Sequence, residues 1–353
     1  MLWKGKQMKG LIASLVLFLA AISVLSESAS AVSSETNTSS DHQLLKIESL
    51  TSHEEMTSLL DKLDQQADHI SVDVIGESVK GRELYLVEVG KDDSNTNKPT
   101  ILFLTQQHGN EALVTESALE IIQEFSTTNK RVKHLLDHVN ILIVPRLNPD
   151  GAQGDVDWDT SNLYRDGVQT RNNANGINLN RTHNSLSQPE TRALHKNVLQ
   201  KYDIDYAIDF HHQIANRATA DGELVTGAIL FPTNENVQEK VLDDSKKIGA
   251  VVYNAISDED YSNLARYASD NTYTSIARNN FAANYDIPTL LFENRGLSDS
   301  INKSSILEQR DSDRLIEQGK DAMMAVIEAA ADGSIETADT SVWESLPEQY
   351  TIE

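Results

Sequence analysis

The sequence predicts an α/β fold: one domain with a mixed, mostly parallel twisted sheet flanked by helices on both faces. Short apolar, β-branched-rich runs occur at 70–75, 84–89, 101–105, 140–145, 206–210, 227–231 and 289–293. Helical periodicities lie between several of them, at 112–125, 189–201, 235–253 and 307–331. Strands that alternate with helices build parallel sheet, because each helix carries the chain back to start the next strand from the same end. Of the 353 residues 39% are aliphatic or aromatic and 24% charged, which is enough apolar surface for a core. No linker interrupts residues 44–333, so they read as a single domain.

Taken in order, Lys4, Lys6 and Lys9 precede the apolar run 11–25 and the small-residue triplet Ala29-Ser30-Ala31. That is the pattern of a secretory signal cleaved after Ala31. The apolar run falls short of the ~20 residues a membrane span requires. The expectation is therefore a secreted protein with no stable membrane association after cleavage. Residues 32–43 are polar and read as a flexible lead-in. Ser52 is a candidate N-cap for a helix to about Asp68, with Met56, Leu59, Leu60 and Leu63 on one face. The runs ILFLT, NILIVP, YAIDF, GAILF and TLLFE are apolar enough for strands buried on both faces. The end, 334–353, is acidic and weakly periodic and reads as a tail.

Charge and composition narrow the function. Thirty Lys+Arg face 54 Asp+Glu, a formal charge of −24, and no basic face is available for nucleic acid. Without residues 1–31 the chain keeps 27 bases and 53 acids. Cysteine is absent, so disulfides, thiol catalysis and Cys-ligated metals are excluded. Any metal must be held by His, carboxylates or water.

Polar residues collect where strands end. After ILFLT comes QQHGNE, in which His108 and Glu111 stand three apart and can reach one point; an imidazole and a carboxylate suit Zn²⁺ if a third ligand arrives. His211 and His212 follow YAIDF; neighbours in a strand diverge, so one of them can face the site, and position alone does not choose. The pair His134 and His138 in HLLDH reads as a solvated helix end, since it lacks the Glu of the helical zinc motif. Arg171 and Arg181 bound the loop RNNANGINLNR, and planar guanidinium groups suit capture of a carboxylate. Glu293 in TLLFENRG is placed for a general base. The run DVDWD (155–159) reads as a solvated acidic loop rather than a Ca²⁺ site.

Together these segments resemble the zinc carboxypeptidases, most closely bacterial secreted members. The similarity runs through IGESVKGREL (75–84), HGNE, NPDG, NLNR, QPETRAL (188–194), FHHQ and FEN, nearly the whole ordered chain. It implies one Zn²⁺ per chain held by His108, Glu111 and His211, with His212 supporting the ligands. It implies that Asn180 and Arg181 clamp a terminal carboxylate and that Arg171 polarises the scissile carbonyl. Glu293 would act as general base toward the water the metal activates. Tyr273 is the candidate for the family's capping tyrosine, with Tyr267 and Tyr285 as rivals. Arg278, fifteen residues before Glu293, falls near the floor of the pocket for the terminal side chain, where a cation favours an acidic residue.

Two departures stand out. Asn178 occupies the place of an Asp that commonly supports the first zinc histidine, which predicts a less basic His108 and weaker zinc binding. Arg181-Thr182-His183 replaces the Arg-Asn-aromatic of animal digestive members. The implied function is a secreted zinc metallocarboxypeptidase acting on peptides with a free C-terminal carboxylate, including cell-wall peptides. The alternatives are a zinc deacylase of N-acyl amino acids and a catalytically inactive carboxylate-binding module.

Overall fold

The computed structural model describes residues 50–90, 98–161, 163, 169–259, 262–296 and 312–352. The expected signal and lead-in lie outside the described residues. The first half comprises α1 (His53–Gln66), β1 (Ile70–Glu77), β2 (Glu83–Val89), β3 (Thr100–Thr105), α2 (Leu113–Phe125), α3 (Lys130–Leu136), β4 (Asn140–Val144), α4 (Pro149–Gln153) and α5 (Pro189–Leu194). The second comprises β5 (Tyr206–Gln213), β6 (Arg217–Ala218), β7 (Gly227–Leu230), α6 (Glu239–Ile256), β8 (Leu264–Arg266), α7 (Ala277–Tyr285), β9 (Thr289–Arg295), α8 (Ser312–Asp332), α9 (Val342–Ser345) and β10 (Tyr350–Thr351). As expected, α1 starts at Ser52, whose hydroxyl accepts from the Glu55 amide while the Glu55 carboxylate accepts from the Ser52 amide.

Eight strands form one sheet in the order β1-β2-β4-β3-β5-β9-β7-β8. The four central strands β4, β3, β5 and β9 are mutually parallel, and antiparallel pairs flank them. Alternation along β3 divides the core in two. Ile101 and Phe103 pack with residues of α2, α6 and α8, whereas Leu102 and Leu104 pack with residues of α5 and α7. Helices therefore cover both faces, and the carboxyl ends of β3, β5 and β9 open side by side.

Three features differ from expectation. α7 gives no clear helical pattern in the sequence because it buries Arg278, Asn279 and Asn280 alongside Ala277, Phe281 and Ala282, so polar and apolar residues do not segregate by face. β6, β8 and β10 are only two or three residues long, too short for a periodic signal. The stretch expected as a tail, 334–353, is packed over its described residues 334–352: Ile335, Val342, Trp343 and Leu346 are buried. Trp343 packs edge-on against Phe231 at 4.8 Å and donates to the Lys246 carbonyl (2.8 Å), and β10 pairs with β6. Four isolated apolar side chains anchor this segment, which no regular pattern reveals. Among the described residues no helix is long and apolar enough to cross a membrane.

Candidate active site

The chain leaves β3 through Gln106, a buried non-glycine residue with φ 50°. Such a left-handed conformation costs about 1–3 kcal/mol. It is held by the Gln106 side chain, which donates to the Gly109 carbonyl (2.8 Å) and accepts from Thr115 Oγ1 (2.6 Å) and Arg146 Nε (2.7 Å). The turn brings His108 and Glu111 together, with His108 Nδ1 2.8 Å from Glu111 Oε1. From β5, His211 Nδ1 lies 2.7 Å from Glu111 Oε2 and 3.1 Å from His108 Nδ1. All three residues are buried, and their ligand atoms lie within 4.8 Å of one another, the single cluster of this type among the described residues.

Two ring nitrogens and a carboxylate oxygen facing one small space match the Zn²⁺ donor set and leave room for a fourth ligand. Burial and the nearby Arg171 charge push His108 down to about 4. Burial alone would raise Glu111, but the two imidazoles override it and hold Glu111 well below the usual range. Burial would likewise lower His211, yet Asp209 and Glu111 hold it well above its ordinary value. Without a metal, a proton is thus retained on His211, and a cation must displace it.

The outer nitrogens show where the support lies. His108 Nε2 meets Asn178 Oδ1 at 3.0 Å, so the amide takes the acceptor role expected of it, without a charge. His211 Nε2 has three polar neighbours: Asp209 Oδ1 at 3.1 Å, Asn180 Nδ2 at 3.1 Å and Gln107 Nε2 at 3.4 Å. Only Asp209 can accept, so the ring proton points to it. The carboxylate missing beside His108 therefore stands beside the other histidine. Asp209 lies two residues before His211, on the same face of the strand, a signal visible as an acid inside an otherwise apolar run. His212 projects to the opposite face, and its buried ring nitrogens make no hydrogen bond, so it does not support the ligands as expected.

Glu293 arrives by strand register. β5 pairs with β9 so that His211 and Glu293 are direct neighbours. The Glu293 side chain is buried, and its Oε2 has no hydrogen-bond partner. Burial, with a smaller contribution from Glu111, raises its pKa to about 7.

The motifs around the ligands brace one another. A Cβ on Gly109 would lie 2.1 Å from the Gly151 carbonyl carbon, so HGNE and NPDG can stack only without side chains at the contact. Asn148 caps α4 and donates to the carbonyls of Gln107 (3.3 Å) and Arg171 (3.2 Å), tying the arginine loop to the ligand turn. Buried Asp150 accepts from Ser78, the Lys80 amide and Arg82, which docks the ESVKGR segment. In DVDWD, Asp155 and Asp157 pair with Lys80, and Asp155 also with Arg82, so two of its three acids face cations.

The remaining candidates fall as follows. Arg171 Nη1 lies 2.9 Å from Glu111 Oε1. Burial and the like charge of Arg171 both depress Arg181. Asn180 accepts from the Ala277 amide (2.8 Å), which fixes the start of α7. Arg278 is buried, donates from Nη2 to Thr233 Oγ1 and the Asn271 carbonyl (both 3.0 Å), and is pushed down to about 10 by burial. Tyr273 is 71% exposed in the loop leading into α7. The Glu293 charge, and then burial, raises Tyr267, and Tyr285 bonds to His195 (2.7 Å). His134 and His138 sit exposed at the end of α3.

A family profile described as zinc carboxypeptidase matches residues 56–287. The chain belongs to the zinc carboxypeptidase family. The match stops short of β9, so Glu293 is placed by strand register alone. Zn²⁺ is the metal of this family, and His108, Glu111 and His211 are the residues here able to hold it. Over 132 residues the chain is 29% identical to a zinc carboxypeptidase of Saccharothrix mutabilis subsp. capreolus, covering 36% of this chain and 30% of the relative. Over 125 residues it is 38% identical to the carboxypeptidase N catalytic chain of Rattus norvegicus, covering 32% and 26%. The matches thus span about a third or less of these relatives. Among solved structures, a metallo-carboxypeptidase from Burkholderia cenocepacia superposes with a TM-score of 0.60 at 18% identity, covering 80% of this chain and 69% of that one. One from Pseudomonas aeruginosa, in complex with (2-guanidinoethylmercapto)succinic acid, gives 0.56 at 18% identity, covering 78% and 68%. At such identities the likeness concerns the fold.

Proposed function

We propose that this protein is a secreted zinc metallocarboxypeptidase that hydrolyses C-terminal residues from peptides with Glu293 as general base. The observation that carries the reading is the register pairing of Glu293 with His211, which sets an unpartnered carboxylate oxygen, with its pKa raised to about 7, beside the metal ligands. Zn²⁺ held by His108, Glu111 and His211 would supply Lewis acidity to water and to a substrate carbonyl. Glu293 then takes a proton from water and returns it to the leaving amine. Arg171, already against the Glu111 carboxylate at 2.9 Å, offers a fixed cation where the carbonyl oxygen gains negative charge. Asn180 and Arg181 receive the terminal carboxylate, a contact that selects chain ends over internal bonds. Tyr273, exposed beside α7, is the side chain free to close over a bound peptide.

The buried Arg278 favours an acidic terminal residue, because among the described residues no carboxylate lies within ion-pair distance of it. Peptidoglycan stem peptides end in a free carboxylate and fit this reading, as does export directed by residues 1–31. The test is to incubate the mature protein with a peptide library, with and without a chelator, and to weigh the products. Stepwise loss of single C-terminal residues, stopped by chelation and restored by zinc, is expected. Internal cleavage, or indifference to the chelator, overturns the reading. Arg278→Ala should lower the ratio of C-terminal Glu to Leu cleavage by about tenfold or more, as loss of one charge-assisted contact does; an unchanged ratio removes Arg278 from the specificity pocket.

A further inference from the structure

Behind the metal ligands a line of polar side chains runs from Asp209 away from the site. Gln107 Nε2 donates to Asp209 Oδ1 (2.6 Å), and Gln107 Oε1 lies 2.7 Å from His183 Nε2. His183 Nδ1 lies 3.0 Å from His195 Nε2, and His195 Nδ1 lies 2.7 Å from the Tyr285 hydroxyl. Both imidazoles are 2% exposed and pack edge-on against Phe281.

Each link dictates the next. The Asp209 carboxylate, already receiving the His211 ring proton, offers lone pairs to Gln107, so the Gln107 NH₂ must face it and the amide oxygen must face His183. His183 must then carry its proton on Nε2, which leaves Nδ1 as an acceptor. His195 must therefore donate from Nε2, and its Nδ1 accepts the Tyr285 O–H. The chain has one direction, set at the Asp209 end. Among the described residues no carboxylate faces either imidazole, and burial lowers both, His195 to about 4. A phenyl ring at position 183 would fill the space without a single one of these bonds, so the histidine supplies hydrogen bonding that packing does not require.

We infer that His183 and His195 are positioning residues: by locking the Gln107 amide they hold Asp209 on His211 Nε2 and keep His211 Nδ1 turned to the metal. The inference rests on His211 being a zinc ligand, but its first readout does not need the metal. Long-range ¹⁵N–¹H spectra of the metal-free protein should show both His183 and His195 with the proton on Nε2; a proton on Nδ1 of either ring overturns the chain. In a chelator competition assay His183→Phe should weaken Zn²⁺ binding about tenfold, the lower end for residues that orient metal ligands. His183→Gln retains an amide N–H for Gln107 and should recover most of that loss. Tyr285→Phe should leave the His195 proton on Nε2, because the direction is set at the Asp209 end; a shift to Nδ1 overturns the chain. A folded His183→Phe protein that binds zinc as tightly as the parent refutes the inference. Should that variant not fold, the parent tautomers and the Gln and Tyr285 variants decide. Correct tautomers in a protein without zinc-dependent peptide cleavage would instead count against the proposed function alone.

Discussion

The ring centroids of His108 and His211 lie 4.7 Å apart and those of His183 and His195 5.2 Å apart, and all four rings are buried. The first pair encloses Glu111 and is backed by Asp209; among the described residues no carboxylate touches the second. The acids raise His211 far above its ordinary value, whereas burial keeps both members of the second pair low and neutral. Ring proximity is thus common to a ligand pair and a neutral hydrogen-bond conduit, and the facing carboxylates separate the two roles. His134 and His138, 4.8 Å apart and exposed, have neither burial nor an acid, and His138 Nδ1 settles on the His134 carbonyl (2.8 Å).

The most severe way to break this contrast is Glu111→Ala, which removes the acid from the first pair. Zinc should be lost on dialysis, measured by atomic emission, and peptide hydrolysis with it. Glu293→Gln should leave zinc content unchanged while kcat falls by about 10²–10⁴-fold, the range for a positioned general base. The pH profile should share that origin. A base works deprotonated, so kcat/KM falls as pH drops through the Glu293 pKa, which is about 7 without metal. The positive charge of bound zinc favours the carboxylate, which places the acid limb of the holoenzyme below that value. Zinc affinity should also weaken as pH falls, because His211 must surrender its proton to bind metal. Asn178→Asp adds the missing charge behind His108 and should tighten zinc binding, by up to about tenfold. At the small end, His138→Ala should leave zinc binding untouched and alter stability by no more than about 0.5 kcal/mol.

Much of the fold was legible because the central strands are apolar runs long enough to register as such. β3, β5 and β9 fall where ILFLT, YAIDF and TLLFE predict them. The ligands were legible for a related reason: polar residues placed immediately after, or late within, buried strands need a partner or a task. α7 was hidden because polar side chains are buried beside the apolar Ala277 and Phe281, with Arg278, Asn279 and Asn280 bonded to loop carbonyls. The packed segment after residue 333 was hidden because Trp343 and its neighbours act as single anchors with no period.

Local pattern by itself determined the layered α/β class, the absence of thiol chemistry and the set of histidines and acids available for a metal. Which histidine of His211 and His212 turns inward, that Asp209 rather than residue 178 brings negative charge to the ligands, and that Glu293 stands beside them were decided only in three dimensions. Strand register and burial set those outcomes. Both depend on which distant segments pair, and the electrostatics of an imidazole follow from what those segments place against it.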